Sequence, residues 1–238
     1  MSPGFASLSA FVRSRLSAEG HLGLHLTIGA LLMLVAAFVF GHVAEDVVMA
    51  EAITILDLQV SQWFHAHTTP LLTQCMLWVT WVHSTGGILV LCLVLTFQWV
   101  RAKAWDWLAT LVITVPPGML LNVLLKNVFQ RARPSFVDPL LTLTSYSFPS
   151  GHAAAATLFY GLLAAYFICR VKPWPWRVVI AVLAALMVAL VGLSRIYLGA
   201  HYPSDVLAAV AASGGWLAFS LTAVGTWRRW RLTQRTDA

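Results

Sequence analysis

Charge is scarce in this 238-residue chain: Asp, Glu, Lys and Arg make up 10% of it, while 59% is hydrophobic. With a mean hydropathy of +0.78, that shortage excludes an ordinary soluble domain. Cysteine is scarcer still. Cys75, Cys92 and Cys169 are scattered through apolar or interfacial sequence without metal-ligand spacing, which argues against a disulfide framework and leaves them a packing role. An internal repeat, a low-complexity tract and a long linker are all missing, so residues 1–238 read as one domain.

Long apolar sequence is what the chain does have. Stretches at 25–42, 84–100, 106–125, 153–169, 177–194 and 205–226 each approach the roughly 20 residues that cross about 30 Å of hydrocarbon. A span must satisfy its own backbone hydrogen bonds, so these are helices, and runs this long are wrong for barrel strands. The expectation is an all-α protein, a six-transmembrane-helix bundle. The first stretch follows Arg13 and Arg15, as a signal peptide would, but "FGHVAED" lacks a convincing small-x-small cleavage site; it reads as an uncleaved helix.

The basic residues orient the bundle under the positive-inside rule. Arg13, Arg15, Arg101, Lys103, Arg170, Lys172, Arg177, Arg228, Arg229, Arg231 and Arg235 all fall on one side, which should be the cytoplasm. The terminal run "WRRWRLTQR" fits an interfacial anchor on anionic head groups better than a nucleic-acid site. Only Lys126, Arg131, Arg133 and Arg195 are left for the opposite side, against the rule, and a charge that violates an insertion preference calls for a function. Segment 43–83 has no Lys or Arg and is too broken for a clean span; it suggests short helices in the outer interface, a lid or lateral rim. Its His65, His67 and His83 have no acidic or cysteine partner at ligand spacing, which argues against a metal.

Three patches sit at the ends of spans on that opposite side. In "KNVFQRARP", Lys126 and Arg133 are seven residues apart and face one way if the helix continues, with Pro134 ending the segment; head-group snorkelling is the ordinary alternative. In "FPSGHAAAA", Ser150 is a good N-cap and Gly151 allows close backbone approach, so the helix start can bind an anion, although an ordinary cap beside an interfacial His152 has the same look. In "SRIYLGAHYPSD", Asp205 can hold His201 in one tautomer and leave the other ring nitrogen free as nucleophile or base, near Arg195. Asp205 alone could be an acidic first-turn residue, but that leaves Arg195 and His201 unexplained. Alternating helix directions bring all three patches to one face, where cations, histidines, a helix N-terminus and an aspartate make a phosphate site.

At these positions the sequence closely resembles the type 2 phosphatidic acid phosphatase superfamily, whose signatures are K-x6-R-P, P-S-G-H and S-R-x5-H-x3-D. They fall within 126–205 with full spacing: Lys126 with Arg133-Pro134, Pro149-Ser150-Gly151-His152, and Ser194-Arg195 with His201 and Asp205. The resemblance implies a lipid phosphatase using neither metal nor cofactor, with its site at the outer membrane–water interface. It implies that His201 attacks phosphorus to form a phosphohistidine, Asp205 orients it and His152 protonates the leaving oxygen. Lys126, Arg133, Arg195, Ser150 and the Gly151 backbone would bind the phosphoryl group. A bacterial cytoplasmic membrane, with both termini cytoplasmic, is the expected location. The partners implied are a lipid phosphate substrate and membrane lipids, without nucleic acid.

Undecaprenyl diphosphate is the favoured substrate, with phosphatidylglycerophosphate and phosphatidic acid close behind. Arg131, outside the signatures, is expected either to grip a second phosphate or head group or to lie exposed. A phosphotransferase using the same histidine stays open, as does a non-enzymatic lipid-phosphate binder or transporter; six spans argue against a soluble haloperoxidase.

Overall fold

The computed structural model describes residues 23–141 and 143–236, and among them all regular structure is helical. Eight helices follow in order: α1 Leu24–Val48, α2 Ala52–Ala66, α3 Pro70–Val82, α4 Thr85–Arg101, α5 Trp105–Phe129, α6 Gly151–Ile168, α7 Trp174–Tyr197 and α8 Pro203–Thr236. Five of them, α1, α5, α6, α7 and α8 over Pro203–Arg231, are long and apolar enough to cross a membrane. Arg13 and Arg15, which set the expected orientation, lie outside the described residues.

A sixth span is compatible with the bent pair α3 and α4. At 17 residues α4 rises only about 26 Å, but α3 precedes it across a 54° bend, and the two together meet the length and hydropathy of a span. α3 belongs to segment 43–83, which reads in sequence as short interfacial helices, and α4 to the 84–100 stretch; the bend falls where the two meet. His83 sits at the break, buried, with Nδ1 2.7 Å from the Val79 carbonyl and Nε2 2.7 Å from the Tyr160 hydroxyl. The short helix α2 packs on α1, α7 and α8.

Association between helices in lipid rests on close packing rather than on the hydrophobic effect, and small residues permit it. The "HAAAATL" start of α6 puts Ala153 to Ala156 wholly or almost wholly out of contact with solvent, against α5 and α8. Pro116 and Pro117 interrupt the backbone ladder of α5. Trp216 of α8 donates its indole N–H to the nearby Thr114 carbonyl at 3.0 Å, one of the cross-helix bonds that make such interruptions tolerable. At the end opposite the signature residues, Arg228 of α8 pairs with Asp106 of α5 at 3.0 Å. The antiparallel order thus brings the end of α5, the start of α6, the end of α7 and the start of α8 together at the other end.

Candidate active site

Lys126, Arg133, Gly151, His152, Arg195 and His201 line one cavity of about 560 Å³. Lys126 reaches it from the last turn of α5. The helix does not continue to Arg133 as the seven-residue spacing supposed: it stops at Phe129, with Gln130 left-handed at φ 46°. Arg133 arrives instead from the following loop. Its Nε donates to the Ser145 carbonyl at 2.6 Å and its Nη1 to the Ala200 carbonyl at 2.5 Å, bonds that fix the guanidinium.

His201 lies in a turn that Gly199 makes possible with φ +66°, a conformation that suits glycine. Arg133 Nη1 is 3.2 Å from His201 Nε2. A guanidinium only donates, so Nε2 carries the lone pair and Nδ1 the proton. Nδ1 faces Asp205 Oδ2 at 3.4 Å and Ser147 Oγ at 3.4 Å. Ser147 in turn donates its hydroxyl to Asp205 Oδ2, which also accepts from the Tyr202 amide at 2.8 Å. Burial pushes the imidazole down to about 4, although the Asp205 carboxylate pulls it upward; His201 is therefore neutral at pH 7, with an unprotonated nitrogen facing the cavity.

Three cations, Lys126, Arg133 and Arg195, line the cavity with His201. Lys126 Nζ donates to the Tyr146 carbonyl at 2.8 Å. Arg195 is 2% exposed, with Nη1 on Thr80 Oγ1 at 3.1 Å and Nε without a hydrogen-bond partner. Burial lowers the Arg133 pKa, which marks a desolvated cationic site suited to an anion. The start of α6 adds a helix N-terminus. Ser150 is buried and caps it, its Oγ accepting from the Ala153 amide at 3.5 Å. Ser150 thus holds the turn and does not itself line the cavity, unlike Gly151 and His152.

At Gly151 an added Cβ would meet Asn122 Oδ1 at 3.5 Å and Lys126 Cε at 3.9 Å, ordinary contacts that the fold tolerates. The methyl would occupy the space beside the lysine into which an anion must fit. Gly151→Ala is therefore expected to melt within a few degrees of wild type. Its kcat/KM for a lipid phosphate falls by about tenfold, since misplacement at reacting atoms is costly; wild-type kinetics would rule this role out.

Residues 103–229 match the PAP2 superfamily, which is more than half of the chain. The chain belongs to the PAP2 superfamily. It is 31% identical over 176 residues to phosphatidylglycerophosphatase B of Bacillus subtilis, covering 73% of this chain and 85% of that protein. An undecaprenyl-diphosphatase of Sulfolobus acidocaldarius is 35% identical over 115 residues, covering 46% of this chain and 51% of that one. The crystal structure of a transmembrane PAP2-type phosphatidylglycerolphosphate phosphatase from Bacillus subtilis superposes with a TM-score of 0.70 at 30% identity, over 80% of this chain and 94% of that one. This chain thus shares the fold of that transmembrane PAP2-type phosphatase.

Within this PAP2 protein, Arg131 does neither thing expected of it. Its Nη1 donates to Asp205 Oδ1 at 2.7 Å and its Nη2 to Asp57 Oδ2 at 2.8 Å, so the guanidinium is engaged by two carboxylates, and Arg131 does not line the cavity. Burial would lower its pKa, but the Asp205 and Asp57 carboxylates raise it. Sequence reasoning also missed Ser147, Thr80 and Asp57. Ser147 stands three residues before the capping serine, where a motif-adjacent hydroxyl was the available signal; Thr80 and Asp57 gave none. His65 and His67 lie away from His83's contacts, stacked on Phe136 and Trp63 respectively.

Proposed function

We propose that this protein dephosphorylates a membrane lipid through a phosphohistidine on His201. The observation that carries this reading is the unprotonated Nε2, held at 3.2 Å from Arg133 inside a cavity lined by Lys126, Arg195 and Gly151. Nε2 forms the bond to phosphorus as the bond from phosphorus to the lipid oxygen breaks, and His152 gives that oxygen a proton. Water then attacks the phosphohistidine, losing its proton to His152 and releasing phosphate and free His201. The cations hold the equatorial oxygens throughout.

Beyond the charged end the same cavity is apolar, lined by Ile88, Leu89, Cys92 and Leu93 of α4 and by Val112 and Met119 of α5. That wall suits a hydrocarbon tail entering from the membrane, with the head group at the interface. The three cations account for one phosphoryl group, and Arg131 adds nothing for a second. Phosphatidylglycerophosphate therefore leads as substrate, supported by the coverage of the relative named for it, ahead of undecaprenyl diphosphate and phosphatidic acid. The site faces outward from the cytoplasmic membrane on this reading, because the basic residues of the described loops gather at the opposite end.

The test is phosphate release by purified protein in detergent across these three lipids, with EDTA present. The expected result is release that EDTA leaves unchanged, greatest with phosphatidylglycerophosphate. A strict need for magnesium would overturn the mechanism, and phosphoryl transfer to an added lipid alcohol in place of water would identify a transferase.

A further inference from the structure

Two of the residues that hold the His201–Asp205 pair from behind belong to none of the three signatures and do not line the cavity. Asp57, in the middle of α2, is 1% exposed. It accepts from the Ser204 amide at 3.0 Å, from the Ser204 hydroxyl, and from Arg131 Nη2 at 2.8 Å. Arg131 Nη1 meets both Ser204 Oγ and Asp205 Oδ1 at 2.7 Å, and its Cζ lies 4.4 Å from the centre of the Tyr202 ring. The Arg131 carbonyl accepts from the Ser147 amide at 2.8 Å. The guanidinium thus joins α2 to the start of α8, and the backbone carbonyl of the same residue adds the segment leading into α6.

We infer that Asp57 and Arg131 are positioning residues for His201, which makes the short helix α2 part of the apparatus that aligns the nucleophile. This rests on the reading of His201 given above. Asp205 uses its two oxygens for opposite tasks: Oδ2 serves Ser147, the Tyr202 amide and the His201 side, while Oδ1 is held by Arg131 alone among the contacts described. The plane of the carboxylate is therefore set from the Arg131 side. A guanidinium is a planar fork, and its orientation is fixed only when both prongs are engaged. Asp57 engages the second prong.

Had Arg131 served only to dock α2, a bond to Asp57 would suffice. The bond to Asp205 ties that docking to the imidazole. Losing the Asp57 carboxylate lets the fork swing, the Asp205 carboxylate follows, and Nδ1 of His201 loses its fixed acceptor. Besides Asp205, Ser147, Arg133 and Lys126 face His201, and Arg195 and His152 share its cavity; the cations among them do not depend on the fork, so substrate binding is left intact.

The experiment measures phosphate release by the full-length Asp57→Asn protein in detergent, using the lipid phosphate that wild type turns over fastest. The expected result is a kcat lower by about tenfold or more with KM changed by less than about twofold, the size usual for loss of an outer-shell partner. Arg131→Lys should behave alike, and the double variant no worse than the poorer single one, because the two residues act as a unit. A kcat within about twofold of wild type, or a rise in KM that accounts for the whole loss, overturns the inference. If Asp57→Asn fails to fold, Arg131→Lys decides, since it keeps the charge and removes the fork: a kcat reduced by about tenfold with KM changed by less than about twofold supports the inference, and an unchanged kcat overturns it. Activity absent from wild type, or retained by His201→Ala, would remove the proposed function and this inference with it; an active wild type and a dead His201→Ala beside an unaffected Asp57→Asn would remove this inference alone.

Discussion

Replacing His201 with alanine lowers kcat by about a thousandfold or more, the scale at which loss of a covalent nucleophile is felt when the rest of a site survives. Lys126, Arg133 and Arg195 stay on the cavity wall in the variant, so lipid phosphate still binds and its KM changes little. Radiolabelled lipid phosphate leaves label on wild-type protein in an alkaline quench, where phosphohistidine is stable, and none on the variant. Thermal melting of the variant shows whether the fold is kept. The prediction is sharp because His201 lines the cavity with Nε2 3.2 Å from Arg133, and no other proposed step can proceed once the bond to phosphorus has nowhere to form. Unchanged turnover in His201→Ala would remove the nucleophile from this position.

The spans and the three patches were legible because both depend on local sequence. An apolar run of span length can only be a helix in lipid, and helix ends alternate between the two faces. K-x6-R-P named two residues that line one cavity, on partly different geometry: the helix stops at Phe129 and the loop, rather than a second helical turn, brings Arg133 to His201. The bend between α3 and α4 falls where the sequence divides segment 43–83 from the 84–100 stretch, but the burial of His83 there was not legible, since it depends on Tyr160 of another helix. Arg131 and Asp57 are 74 positions apart. Their pairing, like that of Thr80 with Arg195, depends on how α2 and α3 lie across the bundle, which no spacing within either segment encodes. Arg131 therefore looked in sequence like a spare cation on the rim, and the structure shows it already matched by two carboxylates.

Asp205→Asn is expected to lower kcat by about a hundredfold to ten-thousandfold, as loss of the carboxylate that holds a histidine tautomer does elsewhere. Protonation does not explain such a loss. Burial holds His201 near 4 and Asp205 is the group that draws it upward, so removing that charge moves the acid limb of kcat/KM to lower pH and leaves the imidazole neutral at pH 7 in both proteins. What the variant loses is the negative charge beside Nδ1. Once Nε2 is bonded to phosphorus the ring is cationic, and the carboxylate facing Nδ1 at 3.4 Å stabilises that charge as it forms. An asparagine can also present its NH2 to Nδ1, which favours the opposite tautomer and puts the proton on the attacking nitrogen. Arg131, paired on both sides in the native protein, then has only Asp57 as a counter-charge. A pH profile of the variant separates these causes: a depressed plateau with the acid limb displaced downward supports orientation and charge stabilisation by Asp205. A plateau restored at high pH would instead assign the loss to protonation of His201, and with it a different role for the aspartate.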